Sequence, residues 1–313
     1  MAKPIQIDTF KAYQYLSEAT LSADGRRCVY VQSQSNAEGT GYEHDLRCWD
    51  FDQKRSIPLT SGHKERNFLF EDAEHILFPV DRTGEDEKAA KQGKTQTTYY
   101  RLDLNGGEAR KAFTLPWKVT ALKPVDGETM AALVLKDLNE LPAEGLEGKA
   151  LDKGLAQREE EKDYEGLDEL PYWFNGRGFI NKKRTWAVLV KPGTDEAQIL
   201  SPKYMDVRHL EISPDHTKIA IAGPEFDSVN SQTSVLYLID RASGERTTLV
   251  PSGKWSFGHL GWLNDNQLAV TATDYQTWGS SENAKLYTID VASGAMTLLN
   301  GEDLSWGSSV GSD

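Results

Sequence analysis

The sequence predicts an all-β fold, a β-propeller of about five four-stranded antiparallel blades, and three observations carry that expectation. A unit of roughly 50 residues recurs five times along the chain. Its short strands alternate apolar and polar side chains, and its turns place Asp or Asn and Gly at matching offsets. The best copies read SPDHTKIAIAG from Ser213 with SVLYLIDRASGERTTLV from Ser234, and LNDNQLAVTATD from Leu263 with AKLYTIDVASGAMTLL from Ala284. Looser copies begin at Ser22 (SADGRRCVYVQS), Glu71 (EDAEHILFPVD) and Pro124 (PVDGETMAALVL).

Each element of the unit has a local cause. In Lys218-Ile219-Ala220-Ile221-Ala222 and Leu236-Tyr237-Leu238-Ile239-Asp240 every second side chain is bulky and apolar, so each strand is expected to offer one face to a neighbour. Asp240-Arg241-Ala242-Ser243-Gly244 and Asp290-Val291-Ala292-Ser293-Gly294 supply an Asp that bonds its own backbone and a Gly for positive φ. Asn105-Gly106-Gly107 does the same in the second copy, and Lys191-Pro192-Gly193-Thr194-Asp195 is a divergent third. These marks place blades at 10–62, 63–117, 118–205, 206–254 and 255–305, with 306–313 opening a sixth.

Length and charge narrow the class. A chain of 313 residues exceeds the usual single-core domain, but repeat architectures escape that ceiling because each unit packs only on its neighbours. Eight Trp, twelve Tyr and ten Phe suit the wedge-shaped spaces between twisted sheets. The net charge of -13 excludes nucleic acid as a partner, since phosphate binding needs a basic surface. Much of that charge is local, with twelve acids against four bases between Asp137 and Glu169. No apolar run reaches the ~18 residues of a membrane span, and MAKPIQIDTF lacks the regions of a secretion signal, so a cytoplasmic protein without membrane contact is expected. Cys28 and Cys48 fall on strands of the first unit and are expected as free thiols. The six histidines (His44, His63, His75, His209, His216 and His259) make no metal-ligand spacing, and neither a metal nor a cofactor is expected.

One segment, 137–183, interrupts the period in the third unit. Ala150 to Tyr164 has helix-forming composition with Leu151 and Leu155 at i,i+4, but a narrow apolar stripe, which predicts one short, weakly docked helix. Leu170-Pro171-Tyr172-Trp173-Phe174-Asn175-Gly176-Arg177-Gly178-Phe179 then crowds aromatics, a turn and a cation into ten residues. Such a string either covers a blade edge, with Asn175-Gly176 turning the chain, or stands over an opening where acids of the insertion or Arg177 meet a ligand.

DELPYWFNGRGFINKKRT resembles a segment of the third propeller blade in bacterial and archaeal acylaminoacyl-peptidase and dipeptidyl-peptidase-like members of the prolyl oligopeptidase family. FKAYQYLSEATLSADGRRCVYVQS is similar to their first blade, where a short helix leads into a Ser-Pro-Asp-Gly-like turn, here Ser22-Ala23-Asp24-Gly25. The resemblance extends over essentially all 313 residues. It implies a seven-bladed propeller of which this chain carries about five blades, followed in the parent by a C-terminal α/β-hydrolase domain with a Ser-Asp-His triad. Five repeats leave no room for that domain, and no such triad is expected among these residues. Gly307-Ser308-Ser309-Val310-Gly311 satisfies G-x-S-x-G, yet only Ser312 and Asp313 follow, with no later His and acid to complete a triad. Bare blade flanks are expected either to self-associate or to meet a second polypeptide, and nothing in the units suggests a strand that closes a five-bladed ring.

Two functions follow. The first is a non-catalytic, size-excluding propeller that gates the peptide substrates of a serine oligopeptidase or exopeptidase. In related dipeptidyl peptidases a propeller-borne acidic pair holds the substrate ammonium, which makes Glu159, Glu160 and Glu161 candidates here, although a solvated helix face accounts for them equally. Tyr172 and Arg177 are the candidates for lining the peptide opening. The second function is a stand-alone propeller scaffold that binds a protein or ligand through loop-borne aromatics and Arg.

Overall fold

A computed structural model describes residues 6–80, 95–139, 148–161, 163–164, 166–194 and 196–300. The chain divides into two compact units, 1–116 and 117–313. Unit 1 holds two four-stranded antiparallel sheets, β1 (Gln14–Leu21), β2 (Arg27–Ser35), β3 (Tyr42–Asp50) and β4 (Arg55–Pro58), then β5 (Leu69–Phe70), β6 (His75–Pro79), β7 (Thr97–Asp103) and β8 (Arg110–Leu115). Unit 2 holds three. The third blade is β9 (Lys118–Pro124), β10 (Met130–Asp137), β13 (Lys183–Val190) and β14 (Ala197–Ile199), and it carries α1 (Gly148–Glu161) and a hairpin of β11 (Trp173–Phe174) and β12 (Gly178–Phe179). The fourth is β15 (His209–Ile212), β16 (Lys218–Gly223), β17 (Val235–Asp240) and β18 (Arg246–Val250), and the fifth is β19 (Trp255–Asn264), β20 (Gln267–Asp274), β21 (Lys285–Asp290) and β22 (Met296–Leu298). Strands in each sheet follow chain order, the meander expected of propeller blades. The sixth-blade opening and Ser309 lie outside the described residues.

The turn between the first and second strands is fixed the same way in all five blades. The Asp24, Asp72, Asp126 and Asp215 carboxylates, and the Asn264 carbonyl, each accept a backbone N–H two residues on, at 2.7–3.1 Å. In blades 1 and 4 a serine completes the unit. Ser22 and Ser213 donate to Asp24 and Asp215 at 2.6 Å and accept from the N–H groups of Arg27 and Lys218. Gly25 (φ +69°) has the left-handed position in blade 1, and His216 (φ +61°) holds it in blade 4. His216 is retained by a bond from its Nδ1 to the Val125 carbonyl.

Blades cohere by packing sheet on sheet. In β16, Ile219 and Ile221 enter a core with Leu189, Met205 and Leu210, toward the third blade. Ala220 and Ala222 of the same strand enter a second core with Leu268, Val270 and Ile289, toward the fifth. Both faces of the strand are therefore buried, where alternation alone pointed to one. The small side chains that read as the outer face are what a close second sheet requires. In unit 1, Val29, Val31 and Leu46 pack on Ile76, Phe78 and Tyr100. Cys28 and Cys48 are free thiols. Cys28 stands opposite Trp49 and Cys48 opposite Val29, so their side chains project from opposite faces of the sheet.

The short helix expected ahead of the first blade is a four-residue 3-10 turn, Thr9–Ala12, and the chain then runs as a strand. β1 is exposed along its length, and its register slips between Ser17 and Thr20, where Glu18 takes φ +55°. A bulge of this kind bends an edge strand and blunts further pairing.

Two outcomes follow from the turns. A Cβ on Gly294 (φ +70°) would stand 2.2 Å from the Leu249 carbonyl oxygen of the neighbouring blade, whereas at Gly193 (φ +81°) it would meet nothing within 4 Å. Gly294→Ala is expected to cost about 3 kcal/mol in urea unfolding and Gly193→Ala about 1. The Ser213 hydroxyl, then the Thr217 N–H and hydroxyl, hold Asp215 down from 3.8 to about 2. Its contribution is complete above the unfolded value and is withdrawn as pH falls through about 2. Asp215→Asn should therefore flatten the loss of Tm between about pH 4 and pH 2, read by circular dichroism melts.

Candidate functional site

Within each blade the turns joining the first to the second strand and the third to the fourth lie at one end, and the connection from second to third strand emerges at the other. In the third blade that connection carries the aromatic string, and the structure shows how it is held. Arg184, at the start of β13, is 1% exposed. Its Nη1 and Nη2 donate to Glu169 Oε1 and Oε2 at 3.1 and 2.6 Å, a two-pronged pair. The remaining N–H groups reach the carbonyls of Tyr204 (3.2 Å), Lys183 (3.1 Å) and Phe226 (3.0 Å), so all five donors of the guanidinium are used. The guanidinium carbon also lies 3.9 Å from the centre of the Phe226 ring.

Lys182 adds a second fastening. Its Nζ donates to the Asp227 carbonyl and carboxylate at 2.5 and 3.0 Å and stands 3.4 Å from Asp168. The Asp227 hydrogen bond holds its pKa above the ordinary lysine value, against the pull of desolvation and with help from Asp168. Backbone bonds complete the clamp, from the Leu170 N–H to the Ser228 carbonyl and from the Asn230 N–H to the Leu170 carbonyl, each 2.8 Å. The inserted segment is thus tied to a loop of the fourth blade.

Between its fastened ends the chain turns back on itself. Trp173 pairs with Phe179 and Phe174 with Gly178, and the Arg177 N–H donates to the Phe174 carbonyl across Asn175-Gly176. Gly176 takes φ +75° there. The Trp173 and Phe179 rings meet edge to face at 5.1 Å. Even so, Tyr172, Trp173, Phe174 and Phe179 are each 40–52% exposed. The string turns where expected, but its aromatics remain at the surface instead of sealing a blade edge.

The five predicted site residues fall into two places. Tyr172 and Arg177 lie on this hairpin, both exposed, and among the described residues Arg177 has no carboxylate partner. Glu159, Glu160 and Glu161 are exposed on the last turn of α1, where Glu161 accepts from Gln157 at 2.8 Å. Three carboxylates at a helix C-terminus oppose the helix dipole. The clamp is built without them. The side chains of Leu151 and Leu155 lie outside the described residues. Glu169, Lys182, Arg184 and Asp227 escaped the sequence reading, although opposite charges flanking the aromatics, Asp168-Glu169 before and Lys182-Lys183-Arg184 after, were the available signal.

Comparisons with known proteins agree with this architecture. The chain is 28% identical over 222 residues to the uncharacterized peptidase YuxL of Bacillus subtilis (strain 168), over 69% of this chain and 30% of that protein. It superposes on the acylaminoacyl peptidase of Pyrococcus horikoshii with a TM-score of 0.64 at 17% identity, over 93% of this chain and 40% of that one. The chain resembles the propeller portion of prolyl oligopeptidase family serine peptidases. A further peptidase propeller, the β-propeller domain of the Trilobed protease from Pyrococcus furiosus, superposes over 92% of this chain and 72% of its own, with a TM-score of 0.51 at 12% identity. No family model matches. The chain therefore spans well under half the length of the peptidases YuxL and acylaminoacyl peptidase.

Removing one member of the buried pair leaves the other charge without its partner. Glu169→Gln and Arg184→Met are each expected to cost about 3–5 kcal/mol in chemical unfolding, and the double variant less than their sum.

Proposed function

We propose that this chain is the non-catalytic propeller of a serine peptidase whose α/β-hydrolase domain supplies the triad, and that it governs which peptides reach that domain. The observation that carries the reading is the clamped hairpin. A buried two-pronged ion pair with every guanidinium donor satisfied is an expensive way to hold a loop, and what it presents is exposed aromatic surface beside a cation. Rigid aromatics lose little entropy on binding, which suits recognition of extended peptides.

In this reading Tyr172 and Arg177 line the peptide opening. Tyr172 offers a half-exposed ring, and Arg177 an exposed cation that attracts peptide carboxyl groups. Glu159, Glu160 and Glu161 act at longer range, favouring substrates with a free ammonium end. The peptide substrate and the hydrolase domain are the partners, and contact between copies of the chain through exposed sheet faces is a secondary one. A cytoplasmic setting fits this role; among the described residues no helix is long and apolar enough to cross a membrane.

A scaffold that binds a protein partner through the same hairpin is the competing reading, favoured by the hot-spot character of Trp173, Phe174 and Arg177. The coding frame beyond Asp313 separates them. A frame that continues to a G-x-S-x-G elbow supports the peptidase, and a stop supports the scaffold. The purified 313-residue chain is expected to show no turnover of peptide p-nitroanilides and no fluorophosphonate labelling, and labelling of Ser309 overturns the assignment. Joined to its hydrolase domain, Tyr172→Ala and Arg177→Ala should each raise KM for peptides about 3–10-fold with kcat held, by steady-state assay.

A further inference from the structure

Unit 1 carries a cleft that the peptidase reading does not use. It has a volume of about 250 Å³ and lies between the last strand of the first blade and the β7–β8 turn of the second. That is below the ~300–1,000 Å³ of a drug-sized site, which limits a guest to one or two residues of peptide. Buried Leu102 and Leu104, with Ile57, give it an apolar floor.

The rim is charged in both signs. Arg27, Arg55 and Asp103 stand on it, and Asp50, buried, lies between the two arginines in the sheet register. These charges do not cancel by contact, since among the described residues neither arginine is in an ion pair. Arg27 donates to the neutral Asn105 side chain at 2.5 Å. Each carboxylate spends one oxygen on its own turn, Asp50 on the Gln53 N–H at 2.8 Å and Asp103 on the Asn105 N–H at 2.7 Å. The second oxygen of each has no hydrogen bond among the described residues. Gly106 and Gly107 form one wall as bare main chain, with φ of +124° and +115°.

Separated charges of opposite sign above an apolar floor match one chemistry. We infer that this cleft binds a free amino acid or dipeptide with an aliphatic side chain. Its carboxylate pairs with the guanidinium of Arg55, since Arg27 is engaged by Asn105, its ammonium with Asp50 or Asp103, and its side chain covers Leu102 and Leu104. The two rim carboxylates disfavour a dianion such as phosphate. The inference stands on the cleft alone and does not depend on the peptidase assignment.

The test is titration of the full 313-residue chain, labelled with 15N, with leucyl-leucine. The Gly106 and Gly107 amide resonances should shift and saturate with Kd of order 1 mM. N-acetyl-leucine, which lacks the ammonium, and leucinamide, which lacks the carboxylate, should each bind about tenfold more weakly. Arg55→Ala, at an exposed position, should weaken leucyl-leucine about tenfold with the melting curve unchanged. Absence of a saturable shift at about 20 mM peptide overturns the inference. So does binding of N-acetyl-leucine or inorganic phosphate as tight as that of the dipeptide, or an Arg55→Ala chain that binds like the parent.

Discussion

Face-to-face packing of one four-stranded sheet on the next is the constraint from which the rest of the structure follows. A single sheet of this size cannot bury enough apolar surface to hold itself together, so each blade depends on its neighbours. That dependence explains the composition of β16, where Ile219 and Ile221 fill one inter-sheet space and Ala220 and Ala222 line the other. It explains why Gly294 is glycine, because the fifth blade's turn lies against the backbone of the fourth at Leu249. It also sets the limits on the inserted segment, which can be long only because it leaves the ladder at a strand end.

The turns were the most legible part of the fold. Asp24, Asp126, Asp215 and Asn264 recur at one offset because the same short-range bond from backbone to side chain is made each time, and short-range chemistry is written in adjacent residues. The first strands of the first two blades were much less legible. β1 is exposed throughout and bulged, and β5 has two residues, so neither carries an apolar alternation to read. The second buried face of the central strands was hidden for a related reason. Alanine reads as neutral in a pattern, and only a neighbouring sheet reveals that it is interior.

At the candidate site the division is similar. The Asn175-Gly176 turn and the crowding of aromatics were visible in sequence, and the hairpin is there. What holds it was not, because Glu169 and Arg184 are separated by the hairpin itself, and of their further partners Tyr204 lies past the end of the blade's ladder and Phe226 comes from the fourth blade. Charged residues flanking an aromatic string look like solubilising ends until the fold shows that two of them are wholly interior. Glu159, Glu160 and Glu161 illustrate the converse, three charges that stand out in sequence yet take no part in the clamp.

The two ends of each blade carry unequal structural constraint. At one end, tight turns are pinned by their own side chains and, in the fifth blade, by the backbone next door. At the other, the chain from second to third strand spans 36–41 in the first blade and 138–182 in the third, with the ladders on either side intact. A lineage can therefore lengthen, recolour or replace what it displays at that margin while the architecture beneath stays unaltered.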